Sequence, residues 1–454
     1  MTKELTKGSP FRLIFSFMLP VLIGNIFQQL YNMADTLIVG HTVSSDAMAG
    51  VGSTGSITFL IIGFATGLTS GFAVRTSQRF GARDEAGVRK SVAVSLELCI
   101  LLTAFLMSLA MPLAGPLLRL MQTPEKYFSY AYWYLFVCFG GIGATILYNI
   151  SAATLRSIGD TKTPLVILVV SAVLNVGLDL LFIVVFKMKY TGAAAATVIS
   201  QFVAGVGGLI YMLKAYPILR PHRSDWKSFR LWGGHIALGL PMALQFSITA
   251  IGSIIQQTAL NSLDKSMPGI VTAYTAATKI SNFATTPFDA LGVTFATYAG
   301  QNFGARQYDR VRRGVRVCLA MAACTTLVIS FTFYNLAEVL FRLFSQDDAV
   351  VAVGVGMMHV LTPVYITYVC IEVLAGALRG CGDVRVPTLI TVFFVCGLRM
   401  LWLFIAVPIR HEVATVEMSY PITWSLASAL FILYYVKGGW MQRCAEKWEK
   451  KQAG

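Results

Sequence analysis

Charge is scarce in this chain. Only 13% of its 454 residues are charged, while 56% are hydrophobic and the mean hydropathy is +0.67. Soluble globular domains carry about 25% charged residues. A soluble fold of this length would lack the polar surface to cover its core, so that class is excluded. Paired cysteine motifs are also missing. The eight cysteines show no CxxC spacing and nearly all fall in apolar runs, where they read as small buried hydrophobes rather than redox or zinc groups. No Gly-x-x-x-x-Gly-Lys-Ser/Thr loop is present, nor even a Gly-Lys dipeptide, so nothing cradles a nucleotide phosphate to couple ATP hydrolysis. The first apolar stretch is interrupted by Pro20 and has no small-residue cleavage site, so it is expected to persist as a membrane helix.

What the chain has instead is a series of apolar stretches from end to end, at 11–42, 51–75, 90–118, 127–153, 163–187, 191–215, 234–262, 270–298, 314–342, 350–378, 386–409 and 413–437. Each is long enough to cross a hydrocarbon core of about 30 Å. The expected fold is an all-α polytopic membrane protein of twelve transmembrane helices. The net charge of +14 is distributed to match. Of the 36 Lys and Arg, 27 lie in or next to the termini and even-numbered loops, seven lie at odd-numbered loops, and Lys279 and Arg399 lie inside apolar segments. This bias places both termini in the cytoplasm of an inner (plasma) membrane protein. The basicity serves topology and contact with membrane lipid, and argues against nucleic-acid binding.

The chain also repeats itself. Gln78-Arg79-Phe80-Gly81-Ala82-Arg83 returns 223 residues later as Gln301-Asn302-Phe303-Gly304-Ala305-Arg306. Leu155-Arg156-Ser157-Ile158-Gly159-Asp160 returns at the same offset as Leu378-Arg379-Gly380-Cys381-Gly382-Asp383. Six crossings per half is an even number, so the halves insert the same way up, as two six-helix lobes related by a parallel repeat. The expected organisation is an N-terminal lobe at 1–215, a linker at 216–233, a C-terminal lobe at 234–437 and a tail at 438–454. The repeated loops read as fasteners, with Gly giving the left-handed turn and Asp capping or pairing.

On these features the chain resembles the multidrug and toxic compound extrusion (MATE) family, over essentially its whole length. The carrying features are the twelve crossings in two lobes, Pro20 with Asp35 in the first helix, the paired Gly-Asp loops, and Asn175-x-x-x-Asp179 in the fifth. The absence of an acid in the seventh helix, which offers Gln245, Thr249, Gln256 and Gln257, favours the branch resembling the DNA-damage-inducible transporters.

Ionisable groups at membrane depth are costly, so each needs an explanation. Asn175 and Asp179 are four apart and share a helix face. With Asp35 and Thr197 they make an all-oxygen set suited to a hard monovalent cation or a proton, or a polar staple between helices. The resemblance implies the first reading, with Asp35, Asn175, Asp179 and Thr197 as the H⁺ or Na⁺ coupling set and Pro20 as a bending point. By the same resemblance Gln28, Tyr31 and Asn149 are candidate substrate contacts. Glu372 and Asp289 are acids that could face substrate or join Lys279 and Arg399 in an ion-pair network, the expected outcome. The resemblance implies a monomeric secondary transporter, not an enzyme, with no resident cofactor. Its cargo would be amphipathic, often cationic small molecules, with a lipid flippase of the same superfamily as the alternative.

Overall fold

The computed structural model describes residues 4–42, 50–121, 123–263, 270–410 and 412–453, without the side chains of 32, 34–37, 39–42, 257–263, 271 and 451–453. The described elements are all helical. We number the crossings α1 (Pro10–Thr42), α2 (Gly55–Gly81), α3 (Glu85–Leu120), α4 (Glu125–Gly140 and Ile142–Ser157) and α5 (Lys162–Asp179, then Leu180–Val185). There follow α6 (Lys189–Ala215), α7 (Phe229–Leu263), α8 (Ile270–Gly304), α9 (Tyr308–Asn335) and α10 (Asp348–Leu361, Thr362–Val364, Tyr365–Gly380). The last are α11 (Arg385–Ile390, Thr391–Gly397, Leu398–Ile409), α12 (Val413–Glu417, Ser419–Lys437) and a terminal helix α13 (Trp440–Ala453). Among the described residues, ten helices are long and apolar enough to cross a bilayer, and the two halves of α4, bent by 51°, make an eleventh span. The 35-residue α8 supplies the twelfth. Large apolar side chains such as Val173 (70% exposed), Phe331 (73%) and Phe404 (70%) point outward, as a lipid-facing surface requires.

The repeated loops have one geometry in both halves. Ala82, Arg83 and Asp84 donate backbone hydrogen bonds to Gln78, Phe80 and Arg79, and Ala305, Arg306 and Gln307 do the same to Gln301, Phe303 and Asn302. Arg83 and Arg306 both sit in the left-handed region, at φ 57° and 59°. In the Gly-Asp loops, Gly159 and Gly382 take φ 91° and 92°, where any side chain would be strained. Asp160 accepts the amide of Thr163 at 3.0 Å and so starts α5. It also accepts the Tyr216 hydroxyl at 2.8 Å, and Asp383 accepts the Tyr434 hydroxyl at 2.5 Å. Each loop is thereby tied to a tyrosine at the end of its half's last crossing.

This tie has a pH signature at Tyr216, just beyond the end of α6. Burial, and then the neighbouring Asp160 carboxylate, raise the phenol above its ordinary value. A group raised on folding gives stability that is full below its unfolded value, about 10, and lost as pH rises further. Alkaline melting should therefore steepen above about pH 10, and Tyr216→Phe should lessen that slope by this residue's share and cost about 1 kcal/mol at neutral pH. A melting curve in Tyr216→Phe that still steepens like the wild type would show the tie to be idle.

The chain forms two compact units. One comprises Met1–Glu4 and Leu19–Ala250, the other Leu5–Met18 and Ile251–Gly454. The first unit thus includes the opening part of α7, and the second includes the start of α1. In the first unit, Ala65, Phe72, Leu98, Leu102, Ile142, Ile146 and Ala243 share one apolar core. Small residues let α2 and α7 meet backbone to backbone there. A Cβ at Gly71 would lie 2.4 Å from the Gly239 Cα, and one at Gly67 would lie 2.6 Å from the Met242 carbonyl. Nearby, buried His235 of α7 shares a 2.9 Å hydrogen bond with Ser91 of α3. In the second unit Ile270, Phe341, Met357, Met358 and Leu403 form a core, and Gly376 and Gly380 of α10 press on the α8 backbone at Gly292 and Ala296.

Candidate ion and substrate site

In the first unit α5 carries Asn175 and Asp179 one turn apart, both with 0% exposure. The Asn175 amide nitrogen donates to Thr197 Oγ1 on α6 at 3.4 Å. The Tyr31 hydroxyl of α1 donates to the same oxygen, also at 3.4 Å. Asn175 Oδ1 is buried and, among the described residues, receives no hydrogen bond. An acceptor left this way in a dry interior is costly unless it meets a proton donor or a cation. Immediately beyond Asp179 the helix widens into a π-helical turn over Leu180–Val185. Such turns interrupt the regular helical ladder and recur at functional sites. The donor set is carboxylate, amide and hydroxyl oxygen, which suits a hard monovalent cation or a proton.

Three of the expected residues, Tyr31, Asn175 and Thr197, are thus joined by hydrogen bonds, with Asp179 on the same face of α5. The side chain of Asp35 lies outside the described residues. Pro20 lies inside an unbroken α1, just past the point where the chain enters the first unit. Gln28 is exposed on α1. Asn149 of α4 donates to Thr66 Oγ1 of α2 at 3.1 Å, away from the Thr197 hydroxyl.

In the second unit the expected ion-pair network of Asp289, Lys279, Glu372 and Arg399 does not form. Among the described residues none of the four makes a salt bridge with another. Asp289 on α8 accepts the Tyr368 hydroxyl of α10 at 2.9 Å. Glu372 packs on Gly292, where a Cβ would lie 3.0 Å from its Oε2. Lys279 is exposed. Arg399 lies over the Tyr420 ring with Cζ 4.0 Å from the centroid, and 6.0 Å from that of Trp424. This cation–π seat holds the guanidinium, and the buried Glu417 carboxyl lies near enough to feel its charge.

Sequence reasoning gave Glu417 no role. Its side chain is 1% exposed, and among the described residues neither carboxyl oxygen receives a hydrogen bond. Tyr420, one turn on, donates to Gln256 of α7 at 3.0 Å. The signal was present, since Glu417, Tyr420 and Trp424 fall at i, i+3 and i+7 on one helical stripe. Glu97, another acid within an apolar run, has a structural explanation. It accepts the Lys227 amide and the Trp232 indole and so fastens the entry to α7.

Among the described residues no group of three or more His, Cys, Asp or Glu could hold a metal ion. Comparison with known proteins adds the following. The MatE family model matches twice, over residues 20–181 and 241–405, opening at Pro20 and Pro241. Probable multidrug resistance protein YoeA of Bacillus subtilis is 25% identical over 444 residues, covering 96% of this chain and 95% of that protein. DNA damage-inducible protein F of Escherichia coli is 22% identical over 333 residues, 72% of this chain and 71% of that one. Among solved structures, a MOP superfamily transporter from Pyrococcus furiosus superposes with a TM-score of 0.89 at 21% identity, over 97% of each chain. That protein is described as having a binding pocket of reverse polarity that suggests a different function.

Proposed function

Since this chain belongs to the MatE family of multidrug efflux transporters, we propose that it exports amphipathic, often cationic small molecules in exchange for H⁺ or Na⁺. The observation that carries this reading is the fully buried Asp179 beside Asn175, whose Oδ1 has no donor among the described residues. A carboxylate at membrane depth is retained where it handles charge. Asp35, Asn175, Asp179 and Thr197 form the coupling set in this reading, and Tyr31, Gln28, Asn149, Asp289 and Glu372 are the substrate contacts to test. One charge crossing 100 mV yields roughly 2.3 kcal/mol, enough to drive uphill export without a nucleotide.

Alternating access uses the two repeats, 1–215 and 234–437, as the moving bodies of a monomer. They are joined by 216–233, with the tail 438–454 and both termini on the cytoplasmic side of the inner membrane. The acidic character of the set supports export of cations over flipping of a pyrophosphate-linked lipid, which calls for a basic cavity.

The decisive measurement is dye transport in proteoliposomes with proton and sodium gradients imposed separately. Efflux should follow at least one gradient and stop when it is collapsed. Vesicles that move dye equally with no gradient would refute ion coupling.

A further inference from the structure

The internal repeat provides its own control for a feature of the basic loops. In the first unit the arginines in and beside the loop between α2 and α3, Arg79, Arg83 and Arg89, each meet a carboxylate of the chain. Arg79 pairs with Asp84 at 2.7 Å, Arg83 with Glu4 at 3.1 Å and Arg89 with Asp225 at 3.7 Å. Asp84 also caps α3 by accepting the Gly87 amide at 2.8 Å.

The corresponding positions between α8 and α9 keep the cations and lose the Asp84 carboxylate, and the acids near them are the exposed Asp309 and Glu449. Arg306 replaces Arg83 and Arg312 replaces Arg89, while Gln307 stands for Asp84 and gives α9 no side-chain cap. Among the described residues Arg306 has no carboxylate in ion-pair reach. Arg312 meets only Asp309, at 3.6 Å, and the Asp309 side chain is 99% exposed. Arg310 is committed to backbone, donating to the Gly8 carbonyl at 2.7 Å and the Leu5 carbonyl at 3.4 Å.

These side chains do not crowd together. They line a cavity of about 500 Å³ closed on its other side by Met441 and Gln442 of α13. That wall is fixed, because Trp440, Met441, Cys444 and Trp448 are buried and Trp448 packs on Phe303 at 6.1 Å. Tyr308 also lines the cavity, with its hydroxyl buried behind the surface and, among the described residues, without a hydrogen-bond partner.

We propose that this cavity binds a phosphate-bearing anion, which replaces the carboxylates that the first unit supplies from its own chain. Two guanidinium groups supply charged, forked donors of the kind phosphate oxygens accept. The apolar Met441 and Ala445 beside them suit the headgroup region of an anionic phospholipid. A free phosphate offers the same chemistry from solution.

The test uses the full chain, purified and returned to vesicles of mixed phosphatidylglycerol and phosphatidylcholine. Lipid retained on re-extraction is counted by mass spectrometry. Separately, the protein in detergent is titrated with inorganic phosphate against chloride at equal ionic strength. Wild type should retain phosphatidylglycerol selectively. Arg306→Gln with Arg312→Gln should weaken that selectivity roughly tenfold or more, and Lys at both positions should restore part of it, which shows the Gln form did not simply misfold. Arg83→Gln with Arg89→Gln should change it little. Phosphate binding that is lost in the second-unit variant, without lipid selectivity, would support the site with a soluble occupant. The proposal is overturned if the second-unit variant matches wild type in both arms, or if the first-unit variant loses as much.

Discussion

Asp179→Asn is expected to reduce gradient-driven export to the level of empty vesicles while the protein inserts and melts much as the wild type does. The substitution keeps the shape and the hydrogen-bonding capacity of the side chain but removes its ability to carry charge. Because Asp179 has no solvent exposure, water cannot stand in for the lost carboxylate. Asp35→Asn should have the same consequence if the two acids work as a set. Asn149→Ala, which removes a 3.1 Å bond to Thr66 elsewhere in the unit, should lower export only partly. Export by Asp179→Asn at the wild-type rate, under whichever gradient drives it, would assign the carboxylate to structure alone. Glu417 would then be the next acid to test.

The largest expected effect on stability comes from a single methyl group. Gly71→Ala would place a Cβ 2.4 Å from the Gly239 Cα and 2.7 Å from the Leu238 carbonyl, all backbone that no rotamer change can relieve. The helices must separate, at about 1–3 kcal/mol for overpacking of this kind. Gly380→Ala should behave alike in the second unit, where the new methyl would meet the Ala296 carbonyl at 2.3 Å. Gly207→Ala is the matched control, with nothing within 4 Å, and should gain about 0.5–1 kcal/mol from helix propensity. Thermal melting of the purified variants separates these cases. A Gly71→Ala protein that melts with Gly207→Ala would mean that α2 and α7 do not approach so closely.

The sequence made much of this architecture legible because membrane spans and repeated loops leave local marks. Gln301 to Arg306 repeats its partner at five of six positions and Leu378 to Asp383 at four of six, and the structure repeats the loop hydrogen bonds and the positive φ values. Asn175 and Asp179 were readable as a pair because helical spacing alone puts them on one face. Departures from a regular helix were not readable in that way. The bend of 51° in α4 falls where Gly141 faces Val198 of α6, a long-range approach with no local signature beyond two adjacent glycines. The π-helical turns at Leu180–Val185 and Thr391–Gly397 arise inside uniformly apolar runs. Arg399 was misassigned because opposite charges suggest a pair, whereas the aromatic stripe of α12 offered a closer surface. Partner choice for a buried charge depends on which helices meet, and a single sequence does not state that.

The two compact units are not the two halves of the chain, and this bears on how such a protein could have arisen. Duplication copies a stretch of sequence, yet the first unit here closes with residues 229–250 from the second copy, and the second unit uses Leu5–Met18 from the first. A fragment ending in the linker would leave Gly67 and Gly71 facing an empty groove, since Leu238 to Ala243 would be on the other piece. A single-copy ancestor with this helix order would complete the same packing by lending the opening part of its first helix to a second molecule and borrowing the like part in return. Fusion of the two copies would then have converted an exchange between molecules into a fixed feature of one chain.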